Sequence, residues 1–236
     1  MLRVILSVVI AAVCVCLNTN KRRLNSMKIT ILPLCLLAFL FTFPSQTFVA
    51  QANAATITVN SVSDAGTNGD GLCTLREAIL NANADNQSNV DCAGGSGADT
   101  INFNASLANQ TITLTSPVGE LAITSNITIN ALAVANVSVS GGGTRRVFNI
   151  QSATAIVVMT GFRITGGNGN GFQGGGAIRN IGDLTLNNMV VQANAGNGLG
   201  GGIRTEGTGN RLTINGGSIL SNTATRAAVS SKTEMY

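Results

Sequence analysis

Few residues in this chain could do chemistry. Between positions 121 and 225 the only acids are Asp183 and Glu206. They lie at similar phases of two successive sequence repeats, and Arg179 and Arg204 are equivalent to each other in the same way. Two carboxylates brought close on adjacent coils could serve acid/base chemistry if they faced each other across a cleft, as glycoside hydrolysis requires. The plainer expectation is a stacked charged strip of surface ion pairs, each worth little. The chain has 0 histidines, so a Ser-His-Asp triad is excluded. It has 0 tryptophans and its 1 tyrosine is Tyr236, which leaves no Trp or Tyr platform for stacking sugars. Arg76 and Glu77 look like a catalytic pair, but Thr74-x-x-Glu77 is a helix capping box. That makes Glu77 a capping carboxylate and Arg76 a solvated or bridging partner. No catalytic residue, metal or cofactor is expected from these residues.

The element that carries Asp183 and Glu206 is a repeat. Gly174-Gly175-Gly176-Ala177-Ile178-Arg179, Leu184 to Asn188 and Val191 to Ala195 recur as Gly200-Gly201-Gly202-Ile203-Arg204, Leu212 to Gly216 and Ile219 to Ala224. Leu184 to Leu212 and Asn194 to Asn222 are both steps of 28 residues, whereas Ile178 to Ile203 is 25. The extra three residues belong to the loop around Thr205 to Gly209. A worn copy, Val157 to Gly167, precedes the first at an offset of 27. Within each copy apolar and polar residues alternate, with Leu184 and Leu186 inward and Thr185 and Asn187 outward, which is strand periodicity. Short strands, Gly-rich corners and a period in the twenties predict an all-β solenoid, a parallel β-helix of about five coils over residues 99–225.

The repeated glycines suit corners that need positive φ or a tight backbone approach. Asn194 and Asn222 suit turns, through left-handed backbone or stacked side-chain bonds. A phosphate cradle would need a P-loop lysine and a following helix. A calcium β-roll would need Asp in the Gly-rich segments, and Gly166 to Gly176 contains none.

The chain has 236 residues, and its hydrophobic leader divides from the rest near residue 54. Leu2 to Leu17 and Ile29 to Phe43 are apolar runs; the second follows Met27-Lys28 and ends near Ala52-Asn53-Ala54, a signal-peptidase pattern. Residues 27–54 are read as a signal peptide and residues 1–26 as an upstream extension. A long leader or a membrane hairpin around Lys21-Arg22-Arg23 is the alternative. The formal net charge of +4 is concentrated there. From Ala55 onward nine basic residues face ten acids, so a nucleic-acid partner has no support. Any membrane contact would run through the leader or an anchor outside this sequence.

Residues 55–98 read as a cap. Thr56 to Asn60 alternates as a first strand, and Cys73 to Asn83 is the one convincing helix after the leader. Its Leu75, Ala78, Ile79 and Ala82 share one face, and the polar run from Asp85 ends it. Cys73 and Cys92 bracket the helix. In an exported chain they point to a disulfide over a metal site, since zinc wants four ligands. A solenoid end exposes apolar core and strand edges, so a pinned amphipathic helix would close it.

The stretch Asp70 to Ile79 (Asp-Gly-Leu-Cys-Thr-Leu-Arg-Glu-Ala-Ile), with Asp91-Cys92, resembles the CSLREA domain; Thr74, Leu75, Arg76, Glu77, Ala78 and Ile79 carry the likeness, with Thr74 in place of serine. That domain stands at the N-terminal end of right-handed, pectin-lyase-like β-helices in bacterial exported proteins. The Gly-Gly-Ala-Ile and Asn-x-Ala elements are similar to repeats of polymorphic outer membrane proteins, with Val191 and Ile219 where those have phenylalanine. The resemblance implies fold and export, to the medium or the bacterial cell surface, and little about chemistry.

After Thr225 the repeat predicts another Gly-Gly-Gly-Ile, but residues 226–236 read differently. They are expected to be an atypical tail at a truncated end, with end-to-end self-association; folding over the open end is the alternative. The leading functional expectation is a non-enzymatic exported or cell-surface module, structural or adhesin-like, with a surface polysaccharide or a host or neighbouring cell as partner. A fragment of a polysaccharide lyase or hydrolase, and a fragment without function, are the competing expectations.

Overall fold

The computed structural model describes residues 53–115, 117–169, 174–226 and 234–235, and the leader therefore lies outside the described residues. The predicted solenoid is present. Among the described residues every strand pairing is parallel, and strands of successive coils stack in register, with one shift between Gly196 and Leu199.

Three faces run along the axis. The first holds Thr56–Val59, Asp99–Phe103, Ile127–Asn130, Ile156–Thr160 and the opening halves of Asp183–Gln192 and Leu212–Leu220. The second holds Thr111–Thr113, Ser138–Ser140, Arg163–Thr165 and the closing halves of the same two long strands. The third holds Leu121–Ile123, Phe148–Ile150, Ile178–Asn180 and Ile203–Thr205. Short strands at Asn168–Gly169, Ala195–Leu199 and Thr223–Arg226 form the corner between the second and third faces.

On the first face the partners Asp99, Ile127, Val157, Leu184 and Leu212 follow at steps of 28, 30, 27 and 28 residues. That makes about four turns rather than the expected five. The discrepancy lies in the period, since every step on this face exceeds the 25 residues expected per coil; in the first coils the 3-10 turn Ala105–Leu107 and the loop after Asn130 make one of the corners. In later coils one residue makes the same corner. Gly161, Asn188 and Gly216 all take positive φ there, at 78°, 50° and 69°. That corner lets Asp183–Gln192 pass from one face to the next as a single strand.

Inward positions carry the core. Leu184, Leu186, Met189 and Val191 are buried while Thr185 and Asn187 are half-buried on the outer side, as the alternation predicts. Phe148 and Phe162 fill the interior, 6.2 Å apart between ring centroids, and Phe103 lies 5.9 Å from Phe162. Outward on the first face, one column reads Thr56, Thr100, Thr128, Val158, Thr185, Thr213. The next reads Thr58, Asn102, Asn130, Thr160, Asn187, Asn215.

Close stacking explains the glycine triplets. A Cβ on Gly176 would collide with the Ala195 and Gly201 carbonyls, so backbone approach requires glycine there. Asn194 and Asn222 do stack, but they do not take the left-handed conformation. Ala193 and Ser221, the residues before them, do so with φ 53° each. This frees the asparagine side chains to turn inward. Asn194 Nδ2 donates to the Ile164 carbonyl at 3.1 Å and to Asn222 Oδ1 at 2.9 Å, and its Oδ1 accepts from the Gly167 amide at 2.8 Å. Asn222 repeats the pattern one coil on, donating to the Val191 carbonyl at 2.8 Å.

Helix α1 spans Leu75–Ala84 and sits over the first coil. Thr74 caps it: the Thr74 amide donates to Glu77 Oε2 at 3.0 Å and Thr74 Oγ1 accepts from the Glu77 amide at 3.2 Å. Asp85, in the left-handed region, ends it. Leu75, Ala78, Ile79 and Ala82 are at most 2% exposed, so the predicted apolar face is the buried one. Cys73 and Cys92 form the predicted disulfide, with Cα atoms 4.8 Å apart. At the other end, Glu234–Met235 adds a two-residue parallel rung to Thr213–Ile214.

Candidate functional site

The charged residues gather on the third face. Its register places Ala122, Asn149, Arg179 and Arg204 in one column. Glu206 follows Ile203–Thr205, and its amide donates to the Asn180 carbonyl at 2.9 Å. This brings its carboxylate between two guanidinium groups. Arg179 Nε donates to Glu206 Oε1, and Arg204 Nη2 lies 3.1 Å from Glu206 Oε2. Arg179 Nη1 also donates to Asn149 Oδ1 at 3.3 Å, and Asn149 Nδ2 donates to Glu120 Oε1 at 2.5 Å. Glu120 Oε2 in turn takes Arg146 Nη1 at 2.6 Å. Arg146, buried, spends its other nitrogens on the carbonyls of Gly175 and Gly174, both at 2.9 Å.

The result is one continuous row, Arg146–Glu120–Asn149–Arg179–Glu206–Arg204. The expected strip of Arg179, Arg204 and Glu206 is therefore present, but Asp183 is not in it. Asp183 opens the long strand of the first face, and its Oδ1 accepts from the Arg211 amide at 3.0 Å. The three-residue insertion causes this. It sets Arg211 beside Asp183 and leaves Glu206 level with Ile181. The similar phases of the two acids in sequence do not become proximity in space.

Three participants escaped the sequence reading: Glu120, Arg146 and Asn149. Glu120 stands one residue before the stretch 121–225, outside the recognisable repeats. The coil it belongs to is too divergent for its alignment with Arg146 and Asn149 to be found without the register. Glu120, Arg145, Arg146, Thr144 and Asn168 also line a shallow cavity of about 350 Å³. Among the described residues no cluster of three or more His, Cys, Asp or Glu side chains gathers as a metal site would.

A second polar constellation holds the cap. Arg76 is buried, not solvated, and bridges three segments. Its Nε meets Asp64 Oδ1 at 2.8 Å, and its Nη2 meets Asp64 Oδ2 at 3.1 Å. Nη2 also donates to the Gly119 carbonyl at 2.7 Å, and Nη1 to the Glu120 carbonyl at 3.3 Å. Asp64 Oδ2 accepts from the Thr115 amide at 2.7 Å. Asn83 on α1 donates to the Ala122 carbonyl and accepts from the Thr124 amide, both at 2.8 Å. The edge of Leu121–Ile123 is thus met by side chains of the cap. Asp64 was not singled out from sequence because the loop Ser61 to Gly71 carries no periodic pattern.

Asp91, beside Cys92, accepts amide bonds from Gly69 at 2.5 Å, Asp70 at 3.1 Å and Gly71 at 2.8 Å. Partial desolvation pushes its carboxyl up. The amides of Gly69, Gly71 and Asp70 outweigh that and hold it below the usual aspartate range.

Chemically, the row on the third face is a set of satisfied ion pairs. Each carboxylate oxygen of Glu120 and Glu206 already has an Arg or Asn donor. Neither is a poised acid or base across a cleft. Among the described residues no helix is long and apolar enough to cross a membrane. Comparison with protein-family models, with curated proteins and with solved structures gives no match.

Proposed function

We propose that this chain is a non-enzymatic β-solenoid module of the exported or cell-surface kind, structural or adhesin-like, with a CSLREA-type N-terminal cap and a right-handed, pectin-lyase-like coil. The observation that carries the proposal is the cap. A disulfide fixes a helix over one end of the solenoid, and structural disulfides belong to oxidising compartments. The leader pattern before Ala55 supports the same compartment. The non-enzymatic part rests on the third face, where the carboxylates are consumed by arginines. Surface polysaccharide or the surface of a neighbouring or host cell is the partner class proposed.

Expression with the native leader in a Gram-negative host tests this. The chain is expected in the periplasmic, surface or medium fraction with Cys73 and Cys92 oxidised. Retention in the cytosol with both thiols free overturns the export reading. Release of reducing or unsaturated sugar ends from a panel of polysaccharides overturns the non-enzymatic one.

A further inference from the structure

We propose that the first face adsorbs to ice. Its two outward columns keep register over six rungs, from Thr56–Val59 to the opening half of Leu212–Leu220, without a charged residue among them. Hydroxyl and amide groups therefore recur about every 4.8 Å along the axis and about 6.6 Å across the strand. Such a net can hold many ordered waters at once, and a crystal of water presents its own repeat to every rung.

The amide column is stiffened along the axis. Asn130 Nδ2 donates to Asn102 Oδ1 at 3.3 Å, and Asn215 Nδ2 to Asn187 Oδ1 at 2.8 Å. Asn187 Nδ2 reaches Thr160 Oγ1 at 3.4 Å. Single hydrogen bonds to water contribute little, but a rigid array makes them together without an ordering cost. The fourth rung is the weakest, since Val158 offers only shape and Thr160 is 8% exposed.

Other occupants fit less well. Charge is confined to one edge of the face, where Asp183 and Arg211 carry opposite signs, so the two columns offer nothing to an acidic or basic polymer. A sugar chain would want an exposed ring to stack on, yet Phe103, Phe148 and Phe162 are all at most 5% exposed. Six rungs span only about 24 Å, so the patch covers on the order of 300 Å², well short of the roughly 800 Å² per partner of a stable protein interface. The inference rests on the exported-module reading only for contact with the medium. The two fail separately, because fractionation tests export and adsorption tests this face.

The experiment is growth of single ice crystals in the full chain secreted by a host, with adsorption to crystalline cellulose and chitin in parallel. The expected result is faceted crystals, a gap between freezing and melting temperatures, and no binding to either polysaccharide. Thr128→Lys, at the centre of the face, is expected to reduce the gap roughly tenfold, since a charge must be desolvated at the contact. Thr111→Lys on the second face should leave it unchanged. If Thr128→Lys does not fold, the near-isosteric pair Thr128→Val and Thr185→Val replaces it, with partial loss expected. Unshaped crystals with the folded chain, full activity in the Thr128 variants, or adsorption to a polysaccharide instead of ice would each overturn the proposal.

Discussion

In the coils, a strand edge is satisfied by the backbone of the next coil; in the cap, it is satisfied by side chains. Leu184 to Asn187 pairs with Val157 to Thr160 on one side and with Leu212 to Asn215 on the other. Among the described residues no earlier strand of the third face pairs with Leu121–Ile123. Arg76, Asn83 and Asp64 meet it and its neighbours instead. Among the described residues, the first face alone receives a strand from the cap, Thr56–Val59. Backbone pairing tolerates many sequences so long as the alternation holds. Side-chain pairing needs particular residues at particular places, and it fails when one is lost.

Substitutions should separate the two regions. In the coils, Phe148→Ala removes the largest fully buried side chain and is expected to cost about 3–5 kcal/mol in denaturant unfolding. In the cap, Arg76→Ala removes the guanidinium that pairs with buried Asp64 and should cost about 3–5 kcal/mol. If the comparison holds, the Arg76 loss appears first in the cap amides and the Phe148 loss appears everywhere. Cys73→Ser should cost about 3 kcal/mol by freeing the loop that the disulfide closes. Asn194→Ala strands the Gly167 amide and the Ile164 carbonyl, with an expected loss of about 2 kcal/mol confined to the coils that hold Ile164, Asn194 and Asn222. Arg204→Ala, at the partly exposed end of the ion-pair row, should change the unfolding midpoint by less than about 1 kcal/mol.

Acid sharpens the same contrast. The carboxyl of Asp91 is held below the usual aspartate range by its three amide donors. Its contribution is therefore fully present above the ordinary aspartate value and is lost as pH falls through the lowered folded value. Hydrogen exchange at Gly69 to Gly71 should accelerate there before the coil strands respond.

The coils were more legible in the sequence than the cap's contacts. Leu184, Leu186, Leu212 and Ile214 announced strands because alternation and a 28-residue step repeat the same physical requirement. The capping box and the cysteine pair were legible because each is a local pattern. The Arg76–Asp64 pair was not, because its members stand twelve positions apart across an irregular loop and only the fold brings them together. Asp183 shows the opposite error. Its likeness in phase to Glu206 was real in sequence, but the insertion before Arg211 moved the two apart. The coils were overcounted because the period on the first face is 27 to 30 residues, longer than the 25-residue step of Ile178 to Ile203.

Native-state hydrogen exchange across Thr115 and Thr124 tests the claim that cap side chains stand in for a missing coil. In the intact chain, these two amides should be protected to the same degree as amides of the buried strand Phe148–Ile150. In Asp64→Ala and Asn83→Ala they should lose protection selectively, Thr115 in the first and Thr124 in the second. Rapid exchange of both amides in the intact chain, or unchanged protection in both variants, would contradict it.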